Sequence, residues 1–203
     1  MTERRRKRSR RLWCGAGIHI RKSAMRLKTI TRGWRRFPGM TLDELSALVN
    51  RSLFASLGYL DEQGRPNIRR VYCVWHKGLG CHLISTNTGS AHVQSLMRNG
   101  NACLYFSDDA AFAGLCLYGH AVVRTEREYR ELLWNPGDEK YYPQGIGDPD
   151  YCVLEFIAES GRYYRYDGKG ALSAAELAAS GAGEQYQNGY ARMQAAETNG
   201  GEL

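Results

Sequence analysis

The sequence contains no C-x-x-C pair, and no His stands at metal-ligand spacing beside any of its six cysteines, Cys14, Cys73, Cys81, Cys103, Cys116 and Cys152. A metal centre is therefore not expected. The cysteines are widely separated and most fall in apolar runs that read as strands, which suits buried, reduced thiols better than a disulfide framework. No window approaches the roughly 18 apolar residues that a membrane-spanning helix needs. Nor does an uninterrupted apolar stretch follow the Arg-rich start, as a secretory signal would require. These absences make a cytoplasmic protein the expectation. A catalytic triad, paired carboxylates at convincing spacing and internal repeats are missing as well.

What is present is unevenly distributed. The chain of 203 residues suits one domain with tails. Its net charge of +7 would point to an acidic partner if it were spread over the fold. Instead, residues 1–38 hold 14 of the 28 Lys and Arg against the single acid Glu3, a local balance of +13, which leaves the remainder at −6. A run this basic cannot build a core. Residues 1–39 are read as a basic leader with three open explanations: phosphate contact with nucleic acid, attraction to an anionic membrane surface, or an over-extended reading-frame start.

The domain is expected over residues 40–168. Thr41-Leu42-Asp43-Glu44 has the form of a capping box, followed by Leu45 and Leu48 at helical spacing. Residues 52–60 and 67–76 read as two strands of a hairpin, joined by the turn residues Asp61 to Gly64. Residues 81–85 form a third strand that runs into Thr86-Asn87-Thr88-Gly89-Ser90 and then a helix over 91–98. Residues 102–107 and 114–125 read as further strands, 126–134 as a helix, and 151–157 with 162–166 as a closing hairpin. Connections this short suit an antiparallel barrel of about six or seven strands with short helices, because parallel strands would need crossovers. Residues 169–203 read as a tail with one helix near 173–179.

Chemistry concentrates between Cys81 and Arg98. A turn ending in Gly89-Ser90 at a helix start offers free amides, a hydroxyl and the positive end of the helix dipole. By itself this is an ordinary N-cap. Arg69 and Arg70 add a second element: consecutive strand residues point to opposite faces, so one of the two faces the barrel and needs an anion. A phosphomonoester held between that arginine and the Ser90 turn would satisfy both. The alternative is an exposed edge strand on which the arginines prevent aggregation.

Arg70-Val71, Ser85-Thr86-Asn87-Thr88-Gly89-Ser90-Ala91-His92, Leu96-Met97-Arg98-Asn99-Gly100-Asn101-Ala102 and Leu104-Tyr105-Phe106 together resemble the pyridoxamine 5'-phosphate oxidase-like FMN-binding split-barrel superfamily. The usual pattern there is Arg-x-Val, a strand, Thr-x-x-x-Ser-x-Lys, then Leu-x-x-Asn-Pro-x-Val. Leu133-Trp134, Glu139 to Gly145 and Asp148 to Tyr151 are similar to its general-stress-protein branch. The resemblance covers roughly residues 41–167 and implies a split barrel, usually a homodimer with FMN at the interface. It implies cofactor contacts from Arg70, Val71, Ser85, Thr86, Asn87, Ser90 and His92, with Arg70 and Ser90 on the phosphate and Thr86 by the flavin ring or ribityl chain. His92 stands where relatives carry Lys, so the site loses a permanent cation unless the bound dianion raises the imidazole pKa. Otherwise His92 is a surface residue of the first helical turn. The aromatics Tyr72, Trp75, Tyr105, Phe106 and Tyr118 are expected as barrel core and interface anchors.

The resemblance thus implies a flavin-dependent oxidoreductase acting on a small molecule, with no catalytic residue assigned. Pyridoxamine phosphate is not the expected substrate, because the Gly/Gln/Asn-rich tail offers no second phosphate site. Two other readings remain: a haem- or deazaflavin-binding relative, and a non-enzymatic dimer whose leader contacts nucleic acid.

Overall fold

The computed structural model describes residues 39–72, 75–182, 186–189, 191 and 194. All but Gly39 of the basic leader, Cys14, Cys73 and most of the chain beyond 182 lie outside the described residues. Thr41 caps α1 (Leu42–Arg51): its hydroxyl accepts from the Glu44 amide while Glu44 accepts from the Thr41 amide at 2.8 Å. The strands are β1 (Phe54–Leu60), β2 (Pro66–Tyr72), β3 (Trp75–Lys77), β4 (Cys81–Asn87), β5 (Asn101–Asp108), β6 (Ala113–Arg124), β7 (Tyr151–Arg165) and β8 (Gly168–Leu172). The other helices are α2 (Ala91–Arg98), α3 (Arg127–Leu133) and α4 (Ala174–Ser180).

One antiparallel sheet, ordered β2-β1-β5-β6-β7-β4-β3 with β8 on β7, curls into a half-barrel. Its inner face carries Leu57, Leu104, Phe106, Leu115, Leu117, Leu154 and Phe156, all at most 1 % exposed. Apolar positions at helical spacing close the ends: Leu45, Leu48 and Val49 from α1, Val93 and Leu96 from α2, and Leu177 from α4. A smaller cluster of Leu83, Val153 and Leu133 packs α3 onto the outer face. The first half of β7 is therefore covered on both sides, which is why residues 151–156 are uniformly buried instead of alternating.

The expected closing hairpin of 151–157 and 162–166 is a single 15-residue strand. Its Gly161 packs opposite Leu117 and keeps the strand in register with β6 beyond the bulge at Tyr118/Gly119. At that bulge any side chain on Gly119 would collide with the Ile157 carbonyl, so β6 crosses β7 there only as bare backbone. Residues 168–172, read as the edge of a tail, pair with β7 along its second half, and Leu172 and Leu177 enter the main core. Among the described residues the strand count is thus eight. Of the aromatics expected as core, Phe106 is buried, whereas Tyr72 and Tyr118 are 48 % and 42 % exposed. Among the described residues no helix is long and apolar enough to cross a membrane.

Candidate functional site

The turn between β4 and α2 takes its shape from a residue remote in sequence. Asp150, just ahead of β7, accepts from the Gly89 amide and from Asn87 Nδ2, both at 2.8 Å, and its carbonyl accepts from the Thr88 amide at 2.8 Å. The Gly89 amide first, then the Asn87 side chain, hold the Asp150 carboxyl below the usual carboxylate range. The turn thus already contains one anion, supplied by the chain itself.

Ser90 is the N-cap of α2 by backbone geometry, yet its hydroxyl does not cap the helix; it donates to the Asn87 carbonyl at 2.6 Å. The first-turn amides of Ala91, His92 and Val93 therefore keep no partner among the described residues, and the first turn contains no acid. These three donors lie at the positive end of the helix, where an anion could be received.

His92 neither reaches solvent nor stands as a cation. It is 1 % exposed, with Tyr59 beside it at a ring separation of 6.3 Å, and Nε2 lies 3.0 Å from the Thr86 hydroxyl and 3.5 Å from that of Ser90. Burial first, and then the positive charge of Arg69, push its pKa down to about 4, so the ring is neutral at pH 7. Nδ1 is buried and has no partner among the described residues.

The strand alternation of β2 separates the two arginines. Register pairs Arg69 with Leu57 and Val71 with Ala55, so Arg69 shares the core-facing side with buried Val71 and its charge is felt at His92. Arg70 points to the outer side, where its guanidinium lies 4.3 Å over the Phe54 ring. Thr86 and Ser90 are brought together at His92, and Asn87 is engaged by Asp150. Val71 is part of the core, and Ser85 is exposed on the outer face of β4.

The sequence left open which of Arg69 and Arg70 faces the barrel, the resemblance pointed to Arg70, and Asp150 was given no role in the site. The Arg-x-Val spacing was a signal for Arg69, which stands two residues before Val71 and so shares its face. No local signal marked Asp150, which meets Asn87 across 63 positions of sequence. A groove of about 690 Å³ on the outer face is lined by Tyr105, Cys116, Tyr118, Arg162, Tyr164 and Lys169 among others.

The family model described as pyridoxamine 5'-phosphate oxidase matches residues 41–192. The chain belongs to this family. A solved structure from Clostridium acetobutylicum, a protein related to general stress protein 26 of the pyridoxinephosphate oxidase family, is 42% identical over 67% of this chain and 96% of its own, with a TM-score of 0.60. General stress protein 26 from Bacillus anthracis is similar in fold, at 15% identity and a TM-score of 0.54 over 66% of this chain and 99% of its own. A heme binding protein from Mycobacterium smegmatis shares the fold at 19% identity and a TM-score of 0.57, covering 70% of this chain and 62% of its own. No curated protein matches the chain.

Proposed function

We propose that this chain is an FMN-binding oxidoreductase-like protein that assembles as a homodimer in the cytoplasm. The observation that carries the reading is the start of α2: three open amides and no acid, with the charge of Arg69 reaching His92 in the same turn, on the fold of a family named for a phosphate-bearing substrate. The site fits a phosphomonoester dianion. Arg69 would supply the permanent cation, the amides of Ala91 to Val93 would supply direct hydrogen bonds, and Ser90 can add its hydroxyl by one side-chain rotation.

Bound FMN supplies the hydride or electron chemistry. The chain's own residues anchor and orient. Thr86 holds the neutral His92 ring, and His92 fills the space behind the phosphate donors without adding charge. Asp150 fixes the turn and takes up the Gly89 amide, which leaves the helix amides as the donors for an incoming anion. Arg70, stacked over Phe54, Ser85, exposed on the outer face, and Asn87, engaged by Asp150, are given no phosphate contact in this reading. Ile68 and Tyr72, 80 % and 48 % exposed on that side of the terminal strand β2, are the apolar surface a second copy would cover.

The visible spectrum of the purified protein tests the proposal. Flavin bands, release of FMN on denaturation and a dimer by sedimentation are expected. Arg69→Ala should weaken FMN retention at least about tenfold, the scale of a lost charge-assisted contact, whereas Arg70→Ala should change it little. A colourless protein that takes up no added FMN overturns the proposal. A Soret band would instead assign haem, as in the Mycobacterium smegmatis neighbour, and uptake of a deazaflavin alone would assign that cofactor.

A further inference from the structure

The outer side chains of β5 to β8 fall into register rows. Tyr105 stands opposite Cys116, Cys116 opposite Arg162 and Arg162 opposite Ala171; in the next row Gly114 stands opposite Tyr164 and Tyr164 opposite Lys169. On β5 and β6 these positions alternate with the buried Leu104, Leu115 and Leu117, so the rows lie on the side away from the core. Small side chains at Cys116 and Ala171 leave a groove of about 690 Å³ there, ordinary for a small-molecule site, with Tyr105, Tyr118 and Tyr164 around it. Cys116 is partly exposed, as are Cys81 and Cys103, where the sequence suggested buried thiols; of the described cysteines only Cys152 is buried.

The aromatic wall is built with some care for its shape. A Cβ on Gly114 would collide with Tyr105 Oη and crowd the Tyr164 ring, so only glycine lets the two phenols meet, Oη to Oη at 2.8 Å. Both phenols carry a proton at neutral pH and the bond between them uses one; the other O–H has no acceptor among the described residues. Phe112, in the turn between β5 and β6, packs edge-on against Tyr164 at a ring separation of 5.9 Å and steadies it from outside. It does so at a φ of 46°, which no other non-glycine among the described residues adopts above zero, and with 67 % of its surface exposed. A bulky residue held in that conformation stores strain, and strain of this kind gathers at ligand sites.

The charges of the groove are one-sided. Arg162 and Lys169 line it, neither has an ion pair or hydrogen bond among the described residues, and none of the lining residues is acidic. Tyrosine rings receive a flat ring by stacked or edge contact, while an arginine fork grips a carboxylate in the plane of the ring that bears it. We propose that this groove binds a planar aromatic carboxylate of small-molecule size, its ring among Tyr105, Tyr118 and Tyr164, its carboxylate on Arg162, and Lys169 adding to the attraction. A second copy of the chain is the poorer occupant. Across a two-fold contact the same patch faces itself, so the copy would bring two more cations and no acid to a desolvated surface. The site is carried by the groove and does not rest on the flavin reading.

Calorimetric titration of the full-length protein with 2-naphthoate and with its uncharged amide tests the site. The acid is expected to bind with a Kd below about 1 mM and the amide at least about tenfold more weakly, the gap narrowing as salt is raised. Arg162→Gln should weaken binding of the acid at least about tenfold and leave the amide unchanged, and Tyr164→Phe, which breaks the phenol pair, should weaken the acid less. Circular dichroism checks that both variants fold, and the comparison of acid with amide on the wild-type protein needs neither. Arg69→Ala should leave the affinity for 2-naphthoate as it is. No binding, equal affinity for acid and amide, undiminished binding by folded Arg162→Gln, or loss in Arg69→Ala, which would move the ligand to the start of α2, would each overturn the proposal. A wild-type dimer that Tyr118→Glu splits into monomers in sedimentation would overturn it too, because the groove would then lie between two copies.

Discussion

Replacing His92 with Gln isolates the electrostatic state of the candidate site. Native His92 is 1 % exposed with its pKa pushed down to about 4, against about 6.5 in an unfolded chain. Between these values the unfolded state binds a proton that the native state does not, so stability falls as pH falls from 6.5 to 4 and loses nothing further below. A separation of about 2.5 units at about 1.4 kcal/mol per unit sets the full loss near 3 kcal/mol. Gln keeps a hydrogen-bonding group beside Thr86 and removes the titration. Urea unfolding of both proteins at intervals from pH 7.5 to 4 should show the stability difference shifting toward the variant by about 3 kcal/mol across the window. All other titrating groups are common to the two proteins and cancel in the difference. A difference that stays constant with pH would refute the reasoning, because His92 would then titrate alike in both states.

Two further substitutions probe the frame around the site. Asp150→Ala removes the acceptor of the Gly89 amide and of Asn87, and should cost about 1 kcal/mol in this exposed setting, seen as a lower denaturation midpoint together with faster exchange of the Gly89 amide. Gly119→Ala drives a methyl into the Ile157 carbonyl at the bulge and should cost about 3 kcal/mol or more, checked by thermal unfolding.

The sequence by itself determined the parts of this protein that rest on neighbouring residues. The Thr41 capping box, the helix from Ala91 to Arg98, the turn that leads into it and the antiparallel strand class all follow from spacing and turn chemistry within a few positions. The same local rule required the side chains of Arg69 and Arg70 to part; which of them turns toward the helix depended on pairing with β1, where Leu57 and Ala55 set the inner side. Only the tertiary structure decided what the turn contains. Asp150 arrives from the start of β7 to occupy the Gly89 amide, and Tyr59 from β1 helps bury the His92 ring. Burial then deepens the loss of charge already expected at His92, since an imidazole removed from water beside a guanidinium releases its proton. Helix signals are written along the chain, whereas these contacts are written across it, by strand register that no single segment specifies.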